Sequence, residues 1–173
     1  MRLFDDQVAK SEQLLKKHGL DENTVIIVLD ENGTGMPGGK WSAFDWGVRS
    51  GCVMKWPASY EANFSTDAIA QYCDIVPTLI EAAGGAVPET PDGKSLLSLI
   101  EKKTDQHRKH AFFSHHNRDT KKGNKVMKDP HFALYGATDG RYKILWNLTP
   151  GNMYGTKNIN GVEYGDVNHG SSA

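Results

Sequence analysis

The sequence predicts an α/β fold followed by a small antiparallel sheet, and three observations carry that reading. Residues 24–29 (T-V-I-I-V-L) are β-branched or leucine throughout, with no polar alternation, the pattern of a strand covered on both faces as in a parallel α/β sheet. Residues 4–18 place Phe4, Val8 and Leu15 on one helical face, which predicts a surface helix packed along one stripe. Strand-like segments at 110–113, 132–135 and 142–146 then follow one another, the last two joined by a turn at 138–140, as in an antiparallel sheet.

The first helix carries Asp5 and Asp6 near its start and Lys16, Lys17 and His18 at its end. Both placements suit the helix dipole, and Gly19 is a natural stop. A second strand is expected at 51–56 (G-C-V-M-K-W), ended by Pro57. From Thr66 the pattern predicts two helical pieces broken near Asp74 and Pro77, with Pro77 suited to a first turn and Gly84 to a C-terminal cap. A proline-rich loop over 86–94 leads to a short helix at 95–102. The expected organisation is an α/β portion over 1–103, a small antiparallel subdomain over 104–150, and an irregular tail over 151–173 that is rich in Gly, Asn and Ser.

Composition narrows the function classes. The 173 residues suffice for one ordinary core and are few for a two-domain enzyme. Twenty Lys and Arg stand against 21 Asp and Glu, for a net charge of −1, which argues against a nucleic acid or an anionic membrane as partner. No window is apolar enough for a membrane span, and the opening M-R-L-F-D-D lacks the apolar centre of a secretion signal, so a soluble chain is expected. Cys52 and Cys73 lack ligand-like spacing and sit in apolar settings, which predicts two buried thiols.

The chemistry is expected where the 24–29 strand ends. Residues 30–40 read D-E-N-G-T-G-M-P-G-G-K, and loops at the carboxyl ends of strands present side chains over a rigid base. Glu31 and Asn32 together offer hard oxygen donors, suited to calcium ahead of magnesium and poorly suited to a thiolate-loving metal. Asp30 is either a third donor or faces away. Lys40 adds a compact positive charge, placed to hold an oxyanion beside such a cation. The same D-E-N-G is also a good surface turn, so the bland alternative stands beside the metal site. Further on, S-H-H-N-R at 114–118 is read as part of a solvated loop, with His116 and Arg118 as candidate contacts for an anionic substrate.

Taken in order, E-N-T-V-I-I-V-L-D-E-N-G, P-G-G-K-W-S-A-F-D-W-G-V-R-S-G, V-M-K-W-P-A, D-I-V-P-T-L-I-E-A-A-G, D-G-K-S-L and D-G-R-Y-K-I resemble the later portion of the sulfatase family, within the alkaline phosphatase superfamily. The resemblance covers about residues 3–150. It implies part of a mixed sheet sandwiched by helices, followed by the antiparallel subdomain.

The same resemblance implies calcium ligands at Glu31 and Asn32 and a catalytic sulfate-contacting lysine at Lys40. The family more often has aspartate where Glu31 stands. Asp45, Gly47 and Arg49 match the segment that packs the loop, with Arg49 as an internal ion-pair partner. In the intact family enzyme a hydrated formylglycine attacks sulfur and displaces the alcohol, while calcium and lysines hold the sulfate oxygens. The C/S-x-P-x-R motif that yields formylglycine does not occur in this sequence. The expectation is therefore part of a sulfuric ester hydrolase, inactive alone, whose intact form acts on a sulfated small molecule or glycan in the periplasm or outside the cell. The alternatives are a non-catalytic binding or structural module that keeps half the fold, and a phosphoester hydrolase of the same superfamily.

Overall fold

A computed structural model describes residues 2–33, 39–40, 42–58, 63–89, 92–118, 131–148, 155–157 and 163–165, with the backbone alone at 117–118, 131–132, 155–157 and 163–165. The chain divides into two compact units, Met1–Leu29 with Cys52–His107 and Asp30–Gly51 with Arg108–Ala173.

In the first unit, helix α1 (Arg2–Lys17) buries no residue fully and stops at Gly19, whose φ is +67°. Val8, Glu12 and Leu15 form its half-buried stripe, whereas Phe4 stays exposed. Strand β1 (Ile26–Leu29) pairs with β2 (Cys52–Lys55) in the register Ile27↔Met54 and Leu29↔Cys52. That pairing is antiparallel, which corrects the parallel arrangement expected from the apolar run. An unalternating β-branched segment reports burial and carries no information about strand direction. Lys55 Nζ lies 3.3 Å from Glu12 Oε2 and links β2 to α1.

Neither cysteine is in a disulfide and both residues are exposed, against the expectation of burial. Cys52 stands at the end of a two-stranded pair, where an apolar neighbourhood in sequence does not amount to cover. Partial desolvation still pushes its thiol pKa up.

Beyond β2, a single 3-10 turn at Tyr72–Asp74 runs into α3 (Ile75–Ala82), with Pro77 in the first turn and Gly84 at φ +76° after the end. Helix α4 (Leu97–Ile100) supplies the core of this unit: Leu96, Leu99 and Ile100 pack against Met54, Trp56, Ala68 and Ile75. Asp74 is fully buried at the junction. It accepts hydrogen bonds from Gln71 N at 2.9 Å and Lys94 N at 2.8 Å, and its Oδ2 lies 3.1 Å from His107 Nε2. Thr78 Oγ1 donates to Asp74 O and accepts from Leu96 N, joining α3 to the start of α4.

The second unit is built on a three-stranded antiparallel sheet in the order β3-β4-β5, with β3 Ala111–Arg118, β4 His131–Thr138 and β5 Lys143–Asn147. Asp139 makes the β4–β5 turn: its Oδ1 accepts from Tyr142 N and Arg141 N, which lowers its pKa. One face of the sheet carries Phe113, Leu134 and Leu145, which pack with Ala43. The other carries Phe112, Tyr135, Ile144 and Trp146, all exposed. Within the tail read as irregular, β6 (Gly155–Lys157) and β7 (Glu163–Gly165) form a short antiparallel pair.

Candidate functional site

Asp30 extends the β1 ladder by one step, its N–H donating to Gly51 O at 2.9 Å. Its carboxylate then accepts from Glu31 N at 3.0 Å, so Asp30 shapes the turn. The next residues nest against α2 (Asp45–Val48) because two glycines permit it. A Cβ on Gly33 would collide with Trp46 O, and one on Gly47 would collide with the carbonyls of Ser42 and Gly39. Only a residue without a side chain lets these backbones approach so closely.

The nesting returns the chain to its start. Lys40 Nζ lies 2.9 and 3.0 Å from the two carboxylate oxygens of Glu31, a bidentate contact across nine residues. The pair is open to water, with side-chain exposures of 32% for Lys40 and 75% for Glu31, so it adds about 0–1 kcal/mol to stability and is significant for placement. Asn32 follows Glu31 in the turn. It lines a cavity of about 170 Å³ together with Ser42, Ala43, Gly47, Val48 and Phe113, Ser114 and His115 of β3. Its Oδ1 is buried without a hydrogen-bond partner among the described residues. Leaving a buried carbonyl oxygen unmet costs about 1–3 kcal/mol, so a donor or a cation at this oxygen would be stabilising.

Lys143 anchors the loop to the sheet. From β5 its ammonium donates to Ala43 O at 3.2 Å and to Asp45 Oδ1, and it stands 5.1 Å from the centre of the Phe113 ring. The hydrogen bond from Lys143 holds the Asp45 carboxyl below its ordinary pKa, with Arg49 adding a weaker attraction. Asp45 therefore finds its ion-pair partner in Lys143, and the role expected of Arg49 is secondary. The sequence hides this because the two residues lie 98 positions apart.

A depressed carboxylate pKa stabilises the folded state above the unfolded value, near 4, and that contribution disappears as pH falls through the folded value. Asp45→Asn should lower Tm at pH 7, and its difference from wild type should shrink as pH falls below the ordinary carboxylate value near 4. A difference that does not shrink as thermal unfolding is followed to progressively lower pH would remove the ion pair from the account.

The S-H-H-N-R segment lies on β3, paired along its length with β4, which corrects the loop expected from its polar composition. Strand alternation then separates the two histidines. His116 is exposed on the outward face, edge-on to Tyr135 with ring centres 4.9 Å apart. Arg118 is described by its backbone, at the end of β3, and Trp41 and residues 34–38 of the glycine loop lie outside the described residues. The structure thus joins Glu31, Lys40 and Asn32 in one loop and places His116 on the other face of the sheet. His115, Ser42 and Lys143 were not foreseen. The alternation of A-F-F-S-H-H at 111–116 was the available signal for His115.

For a hard cation the loop supplies two oxygen donors, and the orphan Asn32 carbonyl fits that use. Glu31 would have to exchange Lys40 for the metal. Among the described residues no group of three or more His, Cys, Asp or Glu is placed to hold a metal ion, so these two donors are a partial set against the six or more that calcium takes. No helix of the described residues is long and apolar enough to cross a membrane.

Fold and loop together define the C-terminal portion of a sulfatase of the alkaline phosphatase superfamily. More particularly, residues 40–157 match N-sulphoglucosamine sulphohydrolase, C-terminal, and the chain belongs to that family. An ulvan-active sulfatase of Formosa agariphila is 26% identical over 166 residues, covering 92% of this chain and 32% of the relative. The steryl-sulfatase of Homo sapiens is 33% identical over 81 residues, covering 46% of this chain and 14% of the relative.

Two solved structures share the fold. One is a complex with its substrate D-glucosamine-2-N,6-O-disulfate, with TM-score 0.60, 22% identity, and coverage of 82% of this chain and 28% of that one. The other is a phosphonate monoester hydrolase from Silicibacter pomeroyi, with TM-score 0.61, 17% identity, and coverage of 84% and 32%. The chain spans about a third or less of the length of each of these proteins.

Proposed function

We propose that this chain supplies the later half of a calcium and sulfate site for the hydrolysis of sulfate esters, with sulfated carbohydrates as the substrate class. Asn32 gives its side-chain carbonyl to the cation, Glu31 its carboxylate, and Lys40 holds a sulfate oxygen. The observation that carries the reading is the buried Oδ1 of Asn32, without a hydrogen-bond partner among the described residues, three residues beyond the strand and adjacent in sequence to Glu31 of the Glu31–Lys40 pair. The names of the relatives favour a sulfated sugar, since an ulvan-active sulfatase and a complex with a disulfated glucosamine are among them. The domain assignment in this reading is catalytic α/β for residues 1–103 and a C-terminal subdomain for 104–150.

Calcium bound here would act as a Lewis acid on the sulfate oxygens. The chain's own residues do the rest. With a cation held by Glu31 and Asn32, the Lys40 ammonium would be released from Glu31 and would be placed to neutralise negative charge on the sulfate oxygens. Gly33 and Gly47 hold the loop close enough for both events, and Lys143 fixes α2 behind it. His116 and Arg118, candidate contacts for the outer part of a substrate larger than an aryl sulfate, lie on β3, with His116 on the sheet face opposite the cavity. With no C/S-x-P-x-R motif in the sequence, the nucleophile is not among these residues.

Lys40→Ala separates this reading from a plain surface ion pair. It frees Glu31, so calcium affinity should rise about two- to fivefold, the scale of an exposed pair. Binding of 4-nitrophenyl sulfate in calcium should fall about tenfold or more, the scale of a hydrogen bond to a charged group. Calorimetric titration of both ligands checks this. Unchanged ester binding in Lys40→Ala would contradict the assignment, and a preference for 4-nitrophenyl phosphate over the sulfate would favour the phosphoester reading.

A further inference from the structure

We propose that His115, and not its neighbour His116, is the histidine of this site, and that its imidazole contacts the sulfate group of the ligand in the cavity shared with Asn32. The inference deepens the reading above and rests on it.

Strand geometry is the starting point. Successive side chains of β3 leave on opposite faces, so adjacent histidines cannot serve the same one. His116 takes the outward face beside Tyr135. His115 takes the face that carries Phe113 and lines the cavity with Asn32, Ser42 and Gly47, and both of its ring nitrogens are buried. The assignment is locked by register, with His115 opposite Leu134 and His116 opposite Ala133. Slipping β3 by one residue would exchange the histidines, but it would also turn Phe113 out of the cluster with Ala43 and Leu134.

Size and chemistry agree on the ligand. A cavity of about 170 Å³ is below the roughly 300–1,000 Å³ of pockets that enclose whole ligands, so it takes one group of a larger molecule. Its polar lining residues are Asn32, Ser42, Ser114 and His115, against apolar Ala43, Val48 and Phe113. An imidazole N–H and a hydroxyl donate to sulfate oxygens while the Asn32 carbonyl serves the cation next to them. Nothing in this arrangement requires the histidine to be charged.

The test uses the full chain with ¹⁵N-labelled histidine, in millimolar calcium, titrated with 4-nitrophenyl sulfate. The ring-nitrogen resonances of His115 should move saturably and those of His116 should not. His115→Ala should weaken binding of the ester about tenfold or more, His115→Gln by less, and His116→Ala by no more than about twofold. If His115→Ala does not fold, the wild-type resonances and His115→Gln decide. Wild-type affinity in both His115 variants, with still His115 resonances and binding abolished by Asn32→Ala, would overturn the role of His115 and leave the proposed function standing. No ester binding by wild type, with Asn32→Ala and Lys40→Ala indistinguishable from it, would overturn both.

Discussion

Asp74→Ala should unfold the first unit of this chain at temperatures where the wild type is intact. Asp74 has no exposed surface, and its carboxylate is met by Gln71 N, Lys94 N and His107 Nε2 within 3.1 Å. Removing it takes the shared acceptor from the Gln71 and Lys94 N–H groups and from the His107 imidazole at once. Breaking a buried, hydrogen-bonded pair costs about 3–5 kcal/mol, which for a unit this size lowers Tm by about 12 °C or more. His107→Leu should cost less, because both backbone donors keep their acceptor. Thermal unfolding of the two variants checks the order, and an Asp74→Ala transition within about 3 °C of wild type, less than 1 kcal/mol by the same scaling, would contradict it.

Gly33→Ala should have the second largest effect, and it acts on the site itself. The added methyl would meet the carbonyl oxygen of Trp46, a backbone atom that no rotamer change can move. Either the 31–33 turn or α2 must shift, at a cost of about 1–3 kcal/mol or more for overpacking. Asn32 and Glu31 adjoin the glycine, so the shift also carries the oxygen donors away from Lys40. Calcium binding should be lost while the unfolding of the first unit, reported by Trp56 fluorescence, stays near wild type. Retained calcium affinity in Gly33→Ala would show that the close approach of Gly33 to Trp46 does not build the site.

Much of this was legible in the sequence where local chemistry decides the outcome. Gly19 and Gly84 end their helices at positive φ, Pro77 sits in a first turn, and D-E-N-G leaves a strand, each from signals within a few residues. The landmarks D-I-V-P-T and D-G-K-S-L were seen separately. Their meaning, Asp74 receiving Lys94 N, depends on a contact 20 residues apart.

What failed depended on pairing partners. The run at 24–29 implied burial without direction, so its antiparallel match with 52–55 was out of reach. Polar content made 114–118 resemble a loop, although the sheet accepts Ser and His on a strand when one face is open to water. The burial expected of Cys52 and Cys73 failed because apolar neighbours in sequence do not guarantee cover in space.

The central claim is that the Asn32 carbonyl is a cation ligand beside Lys40 and Glu31. Its most direct measurement follows the side-chain carboxamide resonances of Asn32 by ¹⁵N NMR during a calcium titration of the intact chain. The account predicts a saturable shift with weak affinity, on the order of millimolar for so few ligands, and its loss in Glu31→Gln. A carboxamide that stays still while calcium rises far above that range, or that shifts equally when Glu31 is neutralised, would contradict it.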